Sequence, residues 1–180
     1  MTNGSPEPPA AGQGSRSAGF DPPGPAPVLV LGLGNLLLSD DGVGLRLLEL
    51  LSADPAPGVE YVDGGTQGLA LLGLFEGRHS VVVCDAVALD GEPGAIHVLD
   101  KAAIAELRGS RAGSAHESNA LGLLQALTLL GQDPDELWVV GIEPEVVRTG
   151  IGLSASVTAS LAGCVQQARQ LIPRHASMRP

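Results

Sequence analysis

Five acidic residues end or follow the apolar segments of this chain, and they are Asp40, Asp41, Asp63, Asp85 and Glu143. The first two stand side by side in GLGNLLLSDDGVG, and the third belongs to DGGT. A carboxylate buried without a partner is costly, so each acid needs a metal ion, another cation or a set of N–H donors. Such carboxylates can serve as metal ligands or as general acids and bases.

Asp40 and Asp41 precede a helix that the spacing of Val43, Leu47 and Leu51 predicts. We expect Asp40 to cap this helix. Asp41 then lies in the first turn, where the helix dipole keeps a carboxylate ionised, and it remains free for chemistry.

Asp85 follows the apolar run VVVC and precedes AVALDGEPG, which does not begin a clear helix. A capping role therefore explains Asp85 less well. Two alternatives remain: the carboxylate bonds to loop amides, or it meets a metal ion or another cation.

His116 is the histidine best placed to join these acids. SAHE is a capping box with Ser114 at the N-cap and Glu117 at N3, so His116 falls in the first helical turn. There the helix dipole disfavours protonation, and a neutral imidazole can bind a metal. The alternative is an exposed residue at a helix start. Asp41, Asp85 and His116 would form an open site for a divalent ion, with nickel and zinc among the candidates.

The segments that must position these residues alternate between strand and helix. Apolar runs predict strands near 28–34, 59–63, 80–87, 95–100 and 136–144, and helical patterns fall near 43–51, 68–77, 116–131 and 157–172. This order predicts an α/β fold, a three-layer sandwich with a mostly parallel, twisted central sheet of about five strands and helices on both faces. Ligands bind outside the carboxyl ends of such strands, where the acids lie.

The 180 residues suffice for one domain. Residues 1–27 are rich in Pro, Gly, Ala and Ser and predict a disordered tail. Residues 28–172 form the predicted single domain, and residues 173–180 a loose C-terminal tail.

The net charge of −10 excludes a basic nucleic-acid-binding face and docking to an anionic membrane. Two cysteines, Cys84 and Cys164, do not make a disulfide framework, and no apolar run approaches the length of a membrane span. The N-terminus also lacks a secretory pattern, so we expect a cytoplasmic protein.

Several other chemistries are disfavoured. The third glycine of a dinucleotide fingerprint would fall at Leu37, and no phosphate-binding loop or HExxH motif occurs, although a nucleotide-binding domain remains an alternative. Cys84 is expected to be a small buried residue rather than a nucleophile. The sequence shows no Ser/His/Asp or Cys/His arrangement, which argues against a covalent acyl-enzyme intermediate.

VLVLGLGNLLLSDDGVG, VEYVDGGTQGLALL, VVVCDAV, AHESNALGLLQAL, VVGIEP and GLSASV occur in the order typical of one family. Over about residues 28–172 the chain resembles the hydrogenase maturation endopeptidases. The resemblance implies a nickel-dependent endopeptidase that removes the C-terminal extension of a nickel–iron hydrogenase large-subunit precursor. A non-catalytic maturation chaperone or metal-checking binding protein is the alternative.

The resemblance also implies which residues act. Asp41, Asp85 and His116 correspond to the family's nickel-recognition set, with Asp41 and Asp85 as the catalytic candidates. The nickel arrives in the precursor, so no tightly bound cofactor is expected. A weaker prediction places four more residues along the substrate cleft, namely Asp63, Gly64, Gly65 and Glu143. We further expect a monomer whose opening-motif glycines let a protein substrate approach the backbone.

Overall fold

The computed structural model describes residue 1, residues 25–110 and residues 119–176. Its sheet is built from β1 (Val28–Leu33), β2 (Val59–Gly65), β3 (Ser80–Ala86), β4 (Ile96–Leu99) and β5 (Glu136–Ile142). The strand order is β2-β1-β3-β5-β4, with β4 antiparallel to β5 and the other neighbours parallel. The predicted α/β class with a mostly parallel five-stranded sheet is confirmed.

The helices are α1 (Val43–Ser52), α2 (Lys101–Ser110), α3 (Asn119–Leu130) and α4 (Ala155–Ala176), with 3-10 helices at Ser39–Gly42 and Gly68–Phe75. The predicted helix near 68–77 is thus a 3-10 helix. Helix α4 continues through Pro173 to Ala176, past the expected domain end at residue 172.

Helix α2 has no counterpart in the sequence-based prediction. Its one fully buried apolar side chain is Ile104, so no hydrophobic stripe marks it in the sequence. A capping signal does precede it, because the Asp100 carboxylate accepts a hydrogen bond from the Ala103 N–H at 2.8 Å.

The helices cover both faces of the sheet. Residues of α1 and α4 pack with Val82 and Cys84 on one face. Residues of α2, α3 and the 3-10 helix Gly68–Phe75 pack with Val81 and Val83 on the other. Because side chains alternate along a strand, Asp85 lies on the same face as Val83, towards α3.

Helix α1 approaches the strand ends closely. A Cβ atom at Gly44 would lie 2.3 Å from the carbonyl oxygens of both Leu33 and Cys84. Glycine at this position therefore allows the start of α1 to rest on the carboxyl ends of β1 and β3, and Asp41 lies just before that contact. In the part of the chain that is described, no helix is long and apolar enough to cross a membrane.

Candidate active site

Asp85 occupies the carboxyl end of the central strand β3 and is 1% exposed. Its carboxylate accepts hydrogen bonds from the N–H of Ala86 at 2.8 Å and of Ala120 at 3.0 Å. Ala120 is the second residue of α3, so the carboxylate lies against the N-terminal end of that helix. Of the two alternatives that the sequence leaves for Asp85, the amide bonds are present, and they leave lone pairs for a further ligand.

The environment of Asp85 raises its pKa to about 7. Burial is the largest cause, and the negative charge of Asp41 adds to it, whereas the N–H donors of Ala120 and Ala86 lower the pKa. The carboxyl group therefore exchanges its proton near neutral pH, which suits a general base. The charge of Asp41 therefore acts on Asp85 through space.

Asp41 is half-buried in the 3-10 helix Ser39–Gly42, and its Oδ2 accepts a hydrogen bond from the Asn35 N–H at 2.7 Å. The N-cap residue of α1 is Gly42, so Asp41 precedes that helix. The expectation that Asp41 lies in the first turn of α1 is therefore wrong. The carboxylate instead closes the loop of residues 34–42, which we call the Asp41 loop.

Asp40 does not cap α1, contrary to the sequence-based expectation. It is fully buried, and its carboxylate accepts hydrogen bonds from the N–H groups of Glu145 and Val146, both at 3.0 Å, and of Ser154 at 2.6 Å. These donors belong to the β5–α4 loop, residues 143–154. Burial alone would raise the pKa of Asp40, but the N–H donors outweigh it and hold the pKa below its ordinary value.

His116, the third member of the predicted set, lies outside the described residues. It stands four positions before Ala120, whose N–H binds Asp85. Among the residues that are described, no group of three His, Cys, Asp or Glu side chains is arranged to hold a metal. Asp41 and Asp85 offer oxygen ligands of the kind a divalent ion accepts, and a complete set requires a contribution from elsewhere.

Three of the weaker cleft candidates end the edge strand β2, and the Gly65 carbonyl oxygen accepts the N–H of Gly34, the first residue of the Asp41 loop, at 3.0 Å. Asp63 is exposed on the edge strand β2, and alternation from Tyr61, which packs with α1 and α4, places it on the opposite face from Asp85. Gly64 is buried, and Gly65 has a φ of +49° at the strand end. No contact joins these three to Asp85 in the described part.

Glu143 follows β5 and is 5% exposed. Its carboxylate accepts the Leu89 N–H at 2.9 Å and lies 2.9 Å from Nε2 of His97. Glu143 therefore holds the loop between β3 and β4, in the way that Asp40 holds the β5–α4 loop. His97 contributes to this anchoring contact through its Nε2 atom.

The opening-motif glycines have packing roles, so the expectation that they admit the substrate to the backbone is wrong for two of them. Gly34 has a φ of +118°, and a Cβ atom there would lie 1.9 Å from the carbonyl oxygen of Asp41. Gly44 makes the close contact of α1 with the strand ends described above. At both glycines, other atoms of the protein occupy the space that a side chain would take, so this space is not open to a ligand.

Exposed apolar side chains surround Asp41. Leu36 (55%) and Leu37 (61%) stand on the Asp41 loop, and Val147 (54%) and Ile151 (88%) on the β5–α4 loop. Leu36 and Ile151 line a groove of about 420 Å³ together with residues of α1 and α4, and neither Asp41 nor Asp85 is among its lining residues. Clustered apolar exposure is typical of a surface that binds another protein. Sequence reasoning missed this rim, although leucines in a loop between a strand and a helix were a signal for it.

Cys84 is fully buried, and burial raises the pKa of its thiol above the ordinary value. A thiol held in its neutral form is a poor nucleophile. The interpretation of Cys84 as a small buried residue agrees with this environment.

Fold and site together define an α/β protein with a carboxylate pair at the carboxyl edge of a mostly parallel sheet. The model of the family described as hydrogenase maturation protease matches residues 45–171. The Hydrogenase 2 maturation protease of Escherichia coli (strain K12) is 34% identical over 143 residues, which cover 78% of this chain and 87% of that protein. The hydrogenase expression/formation protein HupD of Rhizobium leguminosarum bv. viciae is 30% identical over 154 residues, covering 83% and 76%.

Solved structures give the same result. The hydrogenase maturating endopeptidase HybD from E. coli superposes with a TM-score of 0.72 at 32% identity, covering 82% of this chain and 92% of that one. The nickel–iron hydrogenase maturation protease HybD from Thermococcus kodakarensis gives a TM-score of 0.65 at 28% identity, with 80% and 97% covered. The chain belongs to the hydrogenase maturation protease family, and it is an endopeptidase.

Proposed function

We propose that this endopeptidase removes the C-terminal extension of a nickel–iron hydrogenase large-subunit precursor once nickel has been loaded. The observation that supports this most directly is Asp85, which lies buried at the carboxyl end of β3, where a parallel sheet binds its ligand, and whose pKa the Asp41 charge helps to raise. Asp85 has a pKa of about 7 and therefore takes up or releases a proton under working conditions.

The nickel belongs to the substrate in this proposal. Bound to the precursor, it would be engaged by Asp41, Asp85 and His116, so that only a loaded precursor completes the site. The contact would also hold the scissile peptide in one orientation, and orientation alone can account for a large part of a rate enhancement.

Asp85 can act as a nickel ligand or as a general base. Its substitution would affect precursor binding in the first case and the cleavage rate in the second. As a nickel ligand, it would strengthen binding of the loaded precursor over the nickel-free one. As a general base, it would accept a proton from the attacking water, and its loss would slow cleavage while binding persists.

The exposed rim of Leu36, Leu37, Val147 and Ile151 suits a protein substrate. These side chains stand on the Asp41 loop and on the β5–α4 loop that Asp40 binds to it, so a polypeptide held by them would lie next to the loop that carries Asp41. We also propose a monomer that works in the cytoplasm, which is supported by the free thiols of Cys84 and Cys164.

The test is cleavage of purified precursor by the purified full-length chain, followed by mass spectrometry of the large subunit. We expect loss of the extension from nickel-loaded precursor and an unchanged mass for nickel-free precursor. Equal cleavage of both would refute nickel dependence. Binding of the loaded precursor without any cleavage would instead indicate a metal-checking binding protein.

Variants connect the activity to the site. Asp41→Ala and Asp85→Ala should each lower cleavage by on the order of 100-fold or more, as for loss of a group that acts in the transition state. Asp54→Ala is the matched control, because Asp54 is an exposed carboxylate paired with Arg169 on another part of the surface. Full activity of Asp85→Ala would exclude Asp85 from the reaction.

A further inference from the structure

Asp40 connects two loops that leave the sheet from different strands. Its Oδ2 accepts the N–H groups of Glu145 and Val146, and its Oδ1 accepts that of Ser154. A fully buried carboxylate with three N–H donors is a strong and directional contact. It holds both ends of the β5–α4 loop against the Asp41 loop.

Main-chain bonds also join the two loops, and in one of them the Asp40 N–H donates to the Val146 carbonyl oxygen at 3.2 Å. Ser39 N–H donates to the Gly150 carbonyl oxygen at 2.9 Å, and Gly150 N–H donates to that of Leu37 at 2.9 Å. These bonds hold the middle of the β5–α4 loop. The end at Glu145 and Val146 is held by the Asp40 carboxylate together with the Asp40 N–H, whereas the Ser154 end is linked to Asp40 by the carboxylate.

The consequence for the site comes from sequence adjacency. Asp41 follows Asp40 directly, so a shift of Asp40 also moves the Asp41 carboxylate. Ile151, which lines the groove together with Leu36, stands between Gly150, held by the main-chain bonds, and Ser154, held by the carboxylate. The buried carboxylate thus positions Asp41 and, through Val146 and Ser154, contributes to holding the segments that carry Val147 and Ile151.

We propose that Asp40 is a positioning residue for cleavage, holding the β5–α4 loop so that Asp41 and the apolar rim present the precursor to Asp85. This inference rests on the proposed function. It assigns Asp40 no contact with the substrate. A purely structural role, in which Asp40 only stabilises the fold, is the competing explanation.

Two substitutions separate these explanations. Asp40→Ala removes all three acceptor contacts, whereas Asp40→Asn keeps one oxygen and turns an NH₂ group towards at least one N–H donor. We expect kcat/KM to fall on the order of 100-fold for Asp40→Ala and less for Asp40→Asn, at temperatures where both variants are folded, because misplacement of about 1 Å can cost that much. Amide hydrogen exchange at Val146 and Ser154 should accelerate in the same order.

Arg78→Ala provides the control for stability. Arg78 is 8% exposed and donates to the carbonyl oxygens of Leu74 and Ala26 and to the Glu60 carboxylate, at the other end of β3 from Asp85. Its loss should lower the Tm while the folded protein retains its kcat/KM. If Asp40→Ala lost activity only in proportion to its unfolded fraction, as a destabilised Arg78→Ala would, the positioning role would be refuted.

A disulfide between the two loops tests whether restraining them can substitute for the carboxylate contacts. The Ser39 Oγ lies 2.9 Å from the position of a Cβ atom at Gly150, close to the about 3 Å that separates a sulfur from the opposite Cβ in a disulfide. Ser39→Cys with Gly150→Cys should therefore bridge the loops on oxidation, while the two native cysteines remain buried.

In an Asp40→Ala background, we expect oxidation of the bridge to raise kcat/KM at least tenfold. Reduction of the disulfide should remove this gain. Slowed amide exchange at Val146 without any gain in cleavage would overturn the proposal, because activity would stay low although the two loops are held together.

Wild-type protein is assayed alongside. If wild type fails to cleave, the proposed function fails, whereas cleavage by wild type with full activity in Asp40→Ala sinks the positioning role alone.

Discussion

Asp85 and Asp41 form a carboxylate pair in which the burial of Asp85 and the charge of Asp41 both raise the pKa of Asp85, to about 7. The two N–H donors from Ala86 and Ala120 oppose this shift without cancelling it. Asp85 therefore changes its charge within the physiological range, so the state of the site depends on pH and on any cation brought near the pair.

Cleavage should increase as the pH rises through about 7. Both proposed tasks of Asp85, nickel ligand and general base, require its ionised form, and ionisation follows the raised pKa. Initial rates on nickel-loaded precursor between pH 5.5 and 8.5 measure this, with precursor stability checked at each pH. A rate that stays constant from pH 6 to 8 would contradict the role of Asp85.

Asp41→Asn offers a check that needs no activity. Removing the like charge should lower the pKa of Asp85, because one cause of its elevation disappears while burial remains. Carboxyl ¹³C NMR of labelled protein follows the titration directly. The control is Asp63→Asn, since Asp63 lies on the edge strand β2 and is not among the causes of the shift.

The stability of the folded chain should depend on Asp85 with a defined sign. The folded-state pKa lies above the unfolded value of 3.8, so this contribution is fully present below pH 3.8 and is lost as the pH rises through about 7. At 1.36 kcal/mol for each pKa unit, the loss is on the order of 4 kcal/mol as an upper limit.

Asp85→Asn removes this dependence, although the amide accepts one N–H bond fewer. Relative to wild type, the Tm of Asp85→Asn should therefore increase from pH 4.5 to about 7 and level off above it, whatever its starting difference. Thermal unfolding followed by circular dichroism gives the two curves. Parallel curves across this range would show that Asp85 has an ordinary pKa in the folded protein.

The sequence predicted the class of the fold because its strands are strongly patterned. Runs such as VLVLGL and VVVC are apolar at every position, as buried parallel strands require, and the helices between them have clear stripes. Helix α2 was missed because Ile104 alone anchors its buried face. The shape of 68–75 as a 3-10 helix also depends on packing that local pattern does not encode.

The sequence indicated which acidic residues lie at the strand ends, but it did not predict their hydrogen-bond partners. Strand-end position identified Asp85, whereas the roles of Asp40 and Asp41 depended on which backbone amides come near them in space. The donors to Asp40 come from Glu145, Val146 and Ser154, more than 100 residues later in the chain. A capping rule uses only neighbours in sequence, so it could not find this contact.

Gly44→Ala should destabilise the protein by several kcal/mol. Its Cβ atom would meet the carbonyl oxygens of Leu33 and Cys84 at 2.3 Å, and backbone on both sides cannot yield as a flexible side chain can. Gly122→Ala is the matched control, since a Cβ atom there meets nothing within 4 Å and alanine favours a helix by up to about 1 kcal/mol. Urea unfolding of the two variants compares them, and equal stabilities would contradict the close packing of α1.

Ile151→Ser should raise the KM for the precursor several-fold while kcat changes little. Ile151 is 88% exposed, so the substitution removes an apolar contact surface without opening a cavity in the core. Leu129→Ser is the matched control, because Leu129 is 87% exposed but stands near the far end of α3, nine residues beyond Ala120. Steady-state cleavage at varied precursor concentration separates KM from kcat. If both variants raised KM equally, general surface hydrophobicity rather than the rim beside Asp41 would account for precursor binding.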